Sequence, residues 1–129
     1  MADGSLACRV IIVEDHAESA EGLAELMTLW GYEPHVAGDG RRALELVASL
    51  DPHVVIADIG LPGMDGHELA RHIRRASGGS TIFLVALSGS SDEDGVYTES
   101  GFDHRLVKPV DLDMLERLLE TQMRRSIAT

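Results

Sequence analysis

The sequence predicts an α/β fold in which a parallel β-sheet is flanked by helices. Short apolar runs recur along the chain, and the first of them, Val10 to Val13, is continuous, as expected for a strand buried on both faces. Segments whose apolar residues recur at helical spacing separate these runs, so strands and helices alternate. A length of 129 residues suits one domain with a substantial core.

Five strands are expected, at residues 10–13, 33–37, 54–57, 82–87 and 105–107. Pro34 marks the second strand as an edge of the sheet, because proline has no N–H to donate to a neighbouring strand. Gly31 is expected to end the first helix, and Asp39 to cap the second. Spaced apolar residues predict the helices: Ala20, Leu23, Ala24, Met27 and Trp30 in the first, Ala43, Leu44 and Val47 in the second, Leu69 and Ile73 in the third, and Leu112, Leu115, Leu118, Leu119 and Met123 in the last.

The segment 89–101 is more polar than the rest of the chain. Its only large apolar residues are Val96 and Tyr97, so a short and mobile helix is expected there. This is where we expect a conformational switch. Residues 1–8 are expected to form a flexible extension and residues 127–129 a tail, with one folded domain at 9–126.

Charge and cysteine content narrow the range of partners and compartments. A formal net charge of -11 disfavours binding to nucleic acid or to an anionic membrane. Cys8 is the only cysteine, so it cannot form an internal disulfide, and we expect an ordinary thiol at the start of a strand. No apolar run reaches the length of a signal peptide or a membrane span. These features predict a reduced, cytoplasmic compartment.

Polar side chains follow four of the predicted strands, at the point where each strand ends. Each alone is an ordinary loop residue or helix cap. Parallel strands bring their carboxyl ends to one edge of the sheet, where ligands of such folds bind. Together the side chains therefore predict a site that combines three carboxylates, a hydroxyl and an ammonium: Glu14 and Asp15 after the first strand, Asp58 after the third, Ser88 after the fourth and Lys108 after the fifth.

The residue types in this group suit phosphoryl transfer. Neighbouring carboxylates need a compensating cation, and an oxygen-rich site suits Mg²⁺. A carboxylate can attack phosphorus when a metal ion and a cationic side chain neutralise the charge on the transferring group. Lys108, the only lysine of the chain, supplies that side chain. Its bond to Pro109 is a candidate for a cis peptide bond.

These motifs resemble the receiver domains of two-component response regulators, and the resemblance extends from about Arg9 to Met123. The acidic pair, the aspartate in D-I-G-L-P-G-M-D-G, the serine and the Lys-Pro pair all match motifs of that family. The resemblance implies a doubly wound, five-stranded parallel sheet of order 2-1-3-4-5, flanked by five helices, as in the flavodoxin-like and CheY-like folds.

The resemblance also implies roles for individual residues. Asp58 would be the phospho-acceptor nucleophile, Lys108 would pair with carboxylate and phosphoryl oxygens, and Ser88 would move to bond the phosphoryl group. The phosphodonor would be a phosphohistidine on a histidine kinase or a histidine phosphotransfer protein. The implied metal is Mg²⁺, or Mn²⁺ in its place, and its ligands would be Asp15, Asp58 and the backbone carbonyl of Gly60, with Glu14 partly through water.

One position departs from the family pattern. Three residues before the lysine, receivers often carry an aromatic side chain that is coupled to the serine, and Arg105 stands there in this chain. One hypothesis is that Arg105 pairs with the acidic run Asp92-Glu93-Asp94 and so takes over this role. A solvated arginine at a strand end is the alternative.

Three other functional classes share features with the receiver. A flavodoxin-like cofactor binder needs a phosphate-cradling loop after the first strand, where this chain has two carboxylates. A phosphohydrolase with an aspartyl-phosphate intermediate has a D-x-D motif at the end of its first strand, whereas Asp58 ends the third. A receiver-like scaffold that binds partners without being phosphorylated would not need the complete set of five residues.

Because the receiver-like pattern uses almost the whole length, we expect no DNA-binding or catalytic output domain, and either a stand-alone regulator or a receiver from a larger protein. The segment G-F-D-H-R-L-V-K-P-V-D-L-D is most similar to receivers of hybrid sensor histidine kinases. An unidentified downstream protein is the expected partner, with no nucleic acid or membrane.

Overall fold

A computed structural model describes residues 8–61, 63–76, 78–89 and 99–128, with the side chains of residues 80 and 125–128 left out. Strands and helices alternate, as the sequence predicts. In chain order the elements are β1 Arg9–Val13, α1 Ala17–Leu29, β2 Glu33–Ala37, α2 Gly40–Leu50, β3 Val54–Asp58, α3 Gly66–Arg75, a 3-10 turn Gly79–Thr81, β4 Phe83–Ser88, β5 His104–Val107 and α4 Leu112–Ala128.

The five strands form one parallel sheet in the order β2-β1-β3-β4-β5. The predicted fold class and strand order are therefore confirmed. The strand β2 lies at an edge of the sheet, in agreement with Pro34. From β1 the chain adds β2 on one side and β3 on the other, so the strand order reverses between β1 and β3. Open parallel sheets bind ligands in the crevice at such a point.

The core consists of two apolar layers, one on each face of the sheet. Successive residues of a strand point to opposite faces, so Ile11 and Val13 pack against α2 and α3, whereas Val10 and Ile12 pack against α1 and α4. All four side chains are buried. Burial on both faces explains why the central strands are continuous apolar runs.

Side-chain caps fix the starts of three helices, because each accepts a hydrogen bond from a backbone N–H that has no partner within its helix. Asp39 caps α2 by accepting from the N–H of Arg42, as predicted. Asp65 caps α3 by accepting from the N–H of Glu68. At α1 the cap is the imidazole of His16.

Some sequence predictions fall partly or wholly outside the described residues. Four α-helices are described where five were expected, and the remaining one was predicted in the segment 89–101, of which residues 90–98 are outside the description. Of the predicted extension 1–8, only Cys8 is described. The helix α4 runs to Ala128, so the domain boundary expected at residue 126 falls inside a helix. None of the described helices has the length and apolar character that a membrane span needs.

Candidate phosphoryl-transfer site

Strand register brings the predicted site residues to one edge of the sheet. Val13 of β1 pairs with Ala57 of β3, so the residues that follow them, Glu14 and Asp58, lie side by side. Asp58 in turn pairs with Leu87 of β4, which is directly followed by Ser88. Ser88 pairs with Val107 of β5, which is directly followed by Lys108.

Three carboxylates converge at this edge. Glu14, Asp15 and Asp58 each offer an oxygen, and the three oxygens lie within 4.8 Å of one another. Glu14 is buried, Asp58 is half-buried and Asp15 is exposed, so the cluster opens to solvent on one side. Such an all-oxygen donor set, accessible from one side, suits a hard divalent cation that retains some of its water ligands.

Backbone amides hold two of the carboxylates in place. The N–H of His16 donates to Glu14 Oε2 at 3.1 Å, and the N–H of Gly60 donates to Asp58 Oδ1 at 3.1 Å. Each bond uses one carboxylate oxygen and leaves the other available. On Asp58 that second oxygen, Oδ2, faces Lys108.

The ammonium group of Lys108 brings a positive charge close to the carboxylates of the site. Its Nζ lies 3.2 Å from Asp58 Oδ2 and 3.9 Å from Glu14 Oε1. The peptide bond between Lys108 and Pro109 is cis, the geometry suggested by the sequence. The backbone N–H of Lys108 donates to the carbonyl of Ser88 at 2.7 Å, so the loop that carries the lysine is attached to the end of β4.

Burial and neighbouring charge act on Glu14 in the same direction. Burial raises the pKa of the Glu14 carboxyl, and the nearby charge of Asp58 raises it further. The N–H of His16 and the ammonium of Lys108 oppose this rise in pKa. The carboxylate cluster is therefore a place where an added cation relieves repulsion.

Comparison with known proteins identifies the family of this chain. A family model of the response regulator receiver domain matches residues 10–120. The chain belongs to the response regulator receiver domain family. Receiver domains are the signalling domains of two-component response regulators, and the suspected relationship is thereby confirmed.

The relatives of this chain include two kinds of longer protein. The transcriptional regulatory protein YrkP of Bacillus subtilis is 39% identical over 121 residues, which cover 93% of this chain and 51% of YrkP. The sensor histidine kinase RcsC of Salmonella typhimurium is 31% identical over 118 residues, covering 92% of this chain and 12% of RcsC. The chain thus spans about half the length of the first relative and a small part of the second.

Solved structures give the same fold. A CheY-like receiver domain from Methylobacillus flagellatus superposes with a TM-score of 0.82 at 30% identity, covering 90% of this chain and 98% of that one. The sheet order of the present receiver domain therefore has a close counterpart in an experimental structure.

Ser88 and Arg105 lie on the neighbouring strands β4 and β5. Ser88 is buried at the end of β4. Arg105 is half-buried on β5, opposite Ala86. The acidic run at 92–94, with which Arg105 was hypothesised to pair, lies outside the described residues.

A groove that was not predicted from the sequence lies beside the receiver's acidic cluster. It has a volume of about 240 Å³, and two of its lining residues, Glu14 and Lys108, belong to the site itself. Leu23 of α1 and Val110 supply apolar wall. The sequence singled out Leu23 by its helical spacing, which fits a core position equally well, and it did not single out Val110. The full lining is Glu14, Ser19, Leu23, Leu87, Lys108, Pro109 and Val110.

Proposed function

We propose that Asp58 is the phospho-acceptor of this receiver domain. The observation that carries the proposal is the position of the Lys108 ammonium, 3.2 Å from Asp58 Oδ2, at the edge where three carboxylates converge. In the transfer step, an oxygen of Asp58 forms a bond to phosphorus while the phosphorus–nitrogen bond of a phosphohistidine breaks. The released imidazole nitrogen takes up a proton.

The donor set of the cluster fits Mg²⁺, or Mn²⁺ in its place. Asp15, Asp58 and the backbone carbonyl of Gly60 would hold the ion, with Glu14 acting partly through water. A bound divalent cation would neutralise charge on the transferring phosphoryl group. The raised pKa of Glu14 supports the proposal, because it reflects a buried carboxyl beside another carboxylate.

Lys108 and Ser88 act on different stages of the reaction. The Lys108 ammonium first pairs with Asp58 and then with an oxygen of the phosphoryl group, and a flexible lysine suits this change of partner better than a rigid arginine fork. The hydroxyl of Ser88 then donates to the phosphoryl group. Its movement shifts the population between two conformations of the domain.

The phosphodonor in this proposal is a histidine kinase or a histidine phosphotransfer protein in the cytoplasm. Family membership and the sensor kinase among the relatives support the choice of donor. The downstream partner is a protein. A net charge of -11 supports a protein partner over nucleic acid for this domain, although the relative YrkP is a transcriptional regulatory protein.

We further propose that the domain is a switch and not an enzyme with sustained turnover. It takes up one phosphoryl group, promotes its own phosphorylation and loses the group slowly. The alternative, a scaffold that works without phosphorylation, requires neither the convergence of three carboxylates nor an ammonium beside Asp58. The geometry therefore favours the phosphorylated switch.

Intact mass after incubation with acetyl phosphate tests the proposal. The wild type should gain one phosphoryl group in the presence of Mg²⁺ and none in excess chelator. Asp58→Asn should gain none, whereas the matched control Asp51→Asn, which changes an exposed aspartate before β3 at the opposite edge of the sheet, should gain one. Equal phosphorylation of Asp58→Asn and wild type would contradict the assignment of Asp58. No gain in any variant, even from a phosphorylated histidine kinase, would favour the scaffold.

A further inference from the structure

The start of α3 packs directly on the backbone of the proposed phospho-acceptor. The N–H of Gly66 donates to the carbonyl of Ile59 at 3.1 Å. A Cβ atom at Gly66 would lie 2.8 Å from Ile59 Cα and 3.0 Å from the carbonyl oxygen of Asp58. Only a glycine allows this approach without displacing the backbone. A movement of the loop formed by Asp58 and Ile59 would therefore displace Gly66, the first residue of α3.

The next residue of α3 contacts a distant part of the chain. His67 Nδ1 forms a hydrogen bond with Ser100 Oγ, and its ring packs edge-on against Phe102, with centroids 6.1 Å apart and planes at 80°. Ser100 and Phe102 are both buried. They belong to the turn at 100–103, which leads into β5. Two adjacent residues of α3 thus join the Asp58 loop to this turn.

Arg74 attaches the same turn to the far end of α3. It follows His67 by seven positions, which places both on one face of the helix. Its Nε donates to the carbonyl of Gly101 at 2.8 Å, and its Nη2 lies 2.7 Å from Asp103 Oδ2. That carboxylate also accepts from the N–H of Leu84 on β4 at 2.9 Å.

Gly101 lets Arg74 approach this closely. Its φ of +114° lies in the region that favours glycine, and a Cβ there would be 2.7 Å from Arg74 Cγ. Arg74 Nη1 also donates to the carbonyls of Gly79 and Ile82. The guanidinium therefore fixes the turn, the start of β4 and the end of α3 relative to one another.

We propose that His67 is a coupling residue, through which α3 transmits phosphorylation of Asp58 to the turn at 100–103. This inference rests on the proposed function. Coupling of this kind needs a contiguous set of packed contacts, and α3 supplies one from Asp58 through Gly66 and His67 to Ser100. A ten-residue helix fixed at both ends moves as a unit, so Arg74 acts as its second anchor.

The coupling through His67 matters because Arg105 stands where receivers often have an aromatic side chain. The aromatic side chain that often couples receivers to their output is absent here. The contacts of His67 reach the start of β5 by a different path, which does not use position 105. Ordinary packing would produce the same contacts in one state, so only a response to phosphorylation distinguishes coupling from packing.

NMR of backbone amides with and without acetyl phosphate and Mg²⁺ tests the inference. In the wild type, the Gly101 and Asp103 amides should shift on phosphorylation. In His67→Ala these shifts should fall by at least about twofold while the Gly89 shift persists. His72→Ala is the matched control, because His72 is an exposed histidine of the same helix, and it should behave like the wild type. His67→Asn, which keeps a hydrogen-bonding group near the position of Nδ1, should restore much of the response.

Intact mass of the same samples separates the possible failures. If the wild type gains no phosphoryl group from acetyl phosphate or from a phosphorylated histidine kinase, the proposed function fails and the inference fails with it. If the group is gained but the Gly101 and Asp103 amides do not shift, only the inference is overturned. Equal shifts in wild type and His67→Ala would also overturn it. Should His67→Ala not fold, Ser100→Ala, which removes the hydroxyl that bonds His67 Nδ1, gives the same comparison.

Discussion

Lys108 Nζ lies 3.2 Å from Asp58 Oδ2, although the strands that carry the two residues are not neighbours. Asp58 ends β3 and Lys108 follows β5, with β4 between them. The lysine side chain therefore reaches across the end of β4. A long, flexible side chain can span this distance, and the only lysine of the chain is found where it is needed.

Replacing Lys108 should slow phosphorylation and strengthen metal binding. In Lys108→Gln, the rate of phosphorylation by acetyl phosphate should fall by about tenfold to a hundredfold, because a preorganised charge is lost from the transition state. Mg²⁺ affinity should rise, because the carboxylate cluster loses the cation that now partly neutralises it. Mass-detected rates and a Mg²⁺ titration measure the two effects.

The control for this prediction is Arg75→Gln, which removes an exposed positive charge from α3 at a distance from the cluster. It should change neither the rate nor the Mg²⁺ affinity by more than about twofold. Similar effects of both substitutions would mean that net charge matters and the position of Lys108 does not.

The strand ends were the most predictable part of the molecule. Asp58 and Ser88 each follow an apolar run, and parallel strands leave no choice about which edge of the sheet such residues reach. The sheet order came from the resemblance, since spacing alone does not say which strands are neighbours. Register then accounts for the closeness of Glu14 and Asp58.

The attachments of α3 were not predictable. Arg74 sits in the last helical turn, where a basic residue is favoured by the helix dipole and needs no tertiary partner. Its contacts with Gly101 and Asp103 depend on how distant segments pack. His67 likewise follows a common cap motif, and nothing near it in sequence indicates Ser100. Residue preferences near a helix end can be recognised in the sequence, whereas contacts between distant segments depend on the tertiary fold.

Two glycines should respond in opposite ways to the same substitution. Gly22 lies exposed within α1, and a Cβ there would meet nothing within 4 Å. Gly22→Ala should raise the free energy of unfolding by about 0.5–1 kcal/mol, because alanine favours the helix. At Gly79 a Cβ would lie 1.7 Å from the carbonyl oxygen of Ile73, so Gly79→Ala should lower it by about 3 kcal/mol. Urea denaturation measures both, and equal effects would contradict the packing at Gly79.

Cys8 should be a slow nucleophile in the folded protein. Burial raises the pKa of its thiol to about 11, against the opposing charge of Arg9. Its Sγ contacts Met123 Sδ. At about pH 8 the thiolate fraction should be about a hundredfold lower than that of an ordinary thiol, and alkylation by iodoacetamide should slow accordingly. Protein unfolded in urea should react at the ordinary rate, and equally fast alkylation of the folded protein would contradict the raised pKa of the Cys8 thiol.

Protonation of His53 should lower the free energy of unfolding as the pH falls through the range in which histidines ordinarily titrate. Its Nδ1 accepts a hydrogen bond from the N–H of Arg9 at 3.0 Å, which requires that nitrogen to be unprotonated. Burial lowers the pKa of His53, the charge of Arg9 lowers it further, and Asp51 opposes the shift. The unfolded chain therefore binds the proton more readily than the native one. The stabilising contribution is complete above about pH 7 and is lost as the pH falls below the unfolded pKa of about 6.5.

His53→Asn isolates this contribution, because an asparagine Oδ1 can accept the same N–H and does not titrate. The free energy of unfolding of wild type, measured relative to His53→Asn by urea denaturation, should decrease between about pH 7.5 and about pH 5.5. All other histidines and carboxylates are common to both proteins, so their titration cancels in the difference. A constant difference between wild type and His53→Asn across this range would mean that the native and unfolded states bind the His53 proton equally well.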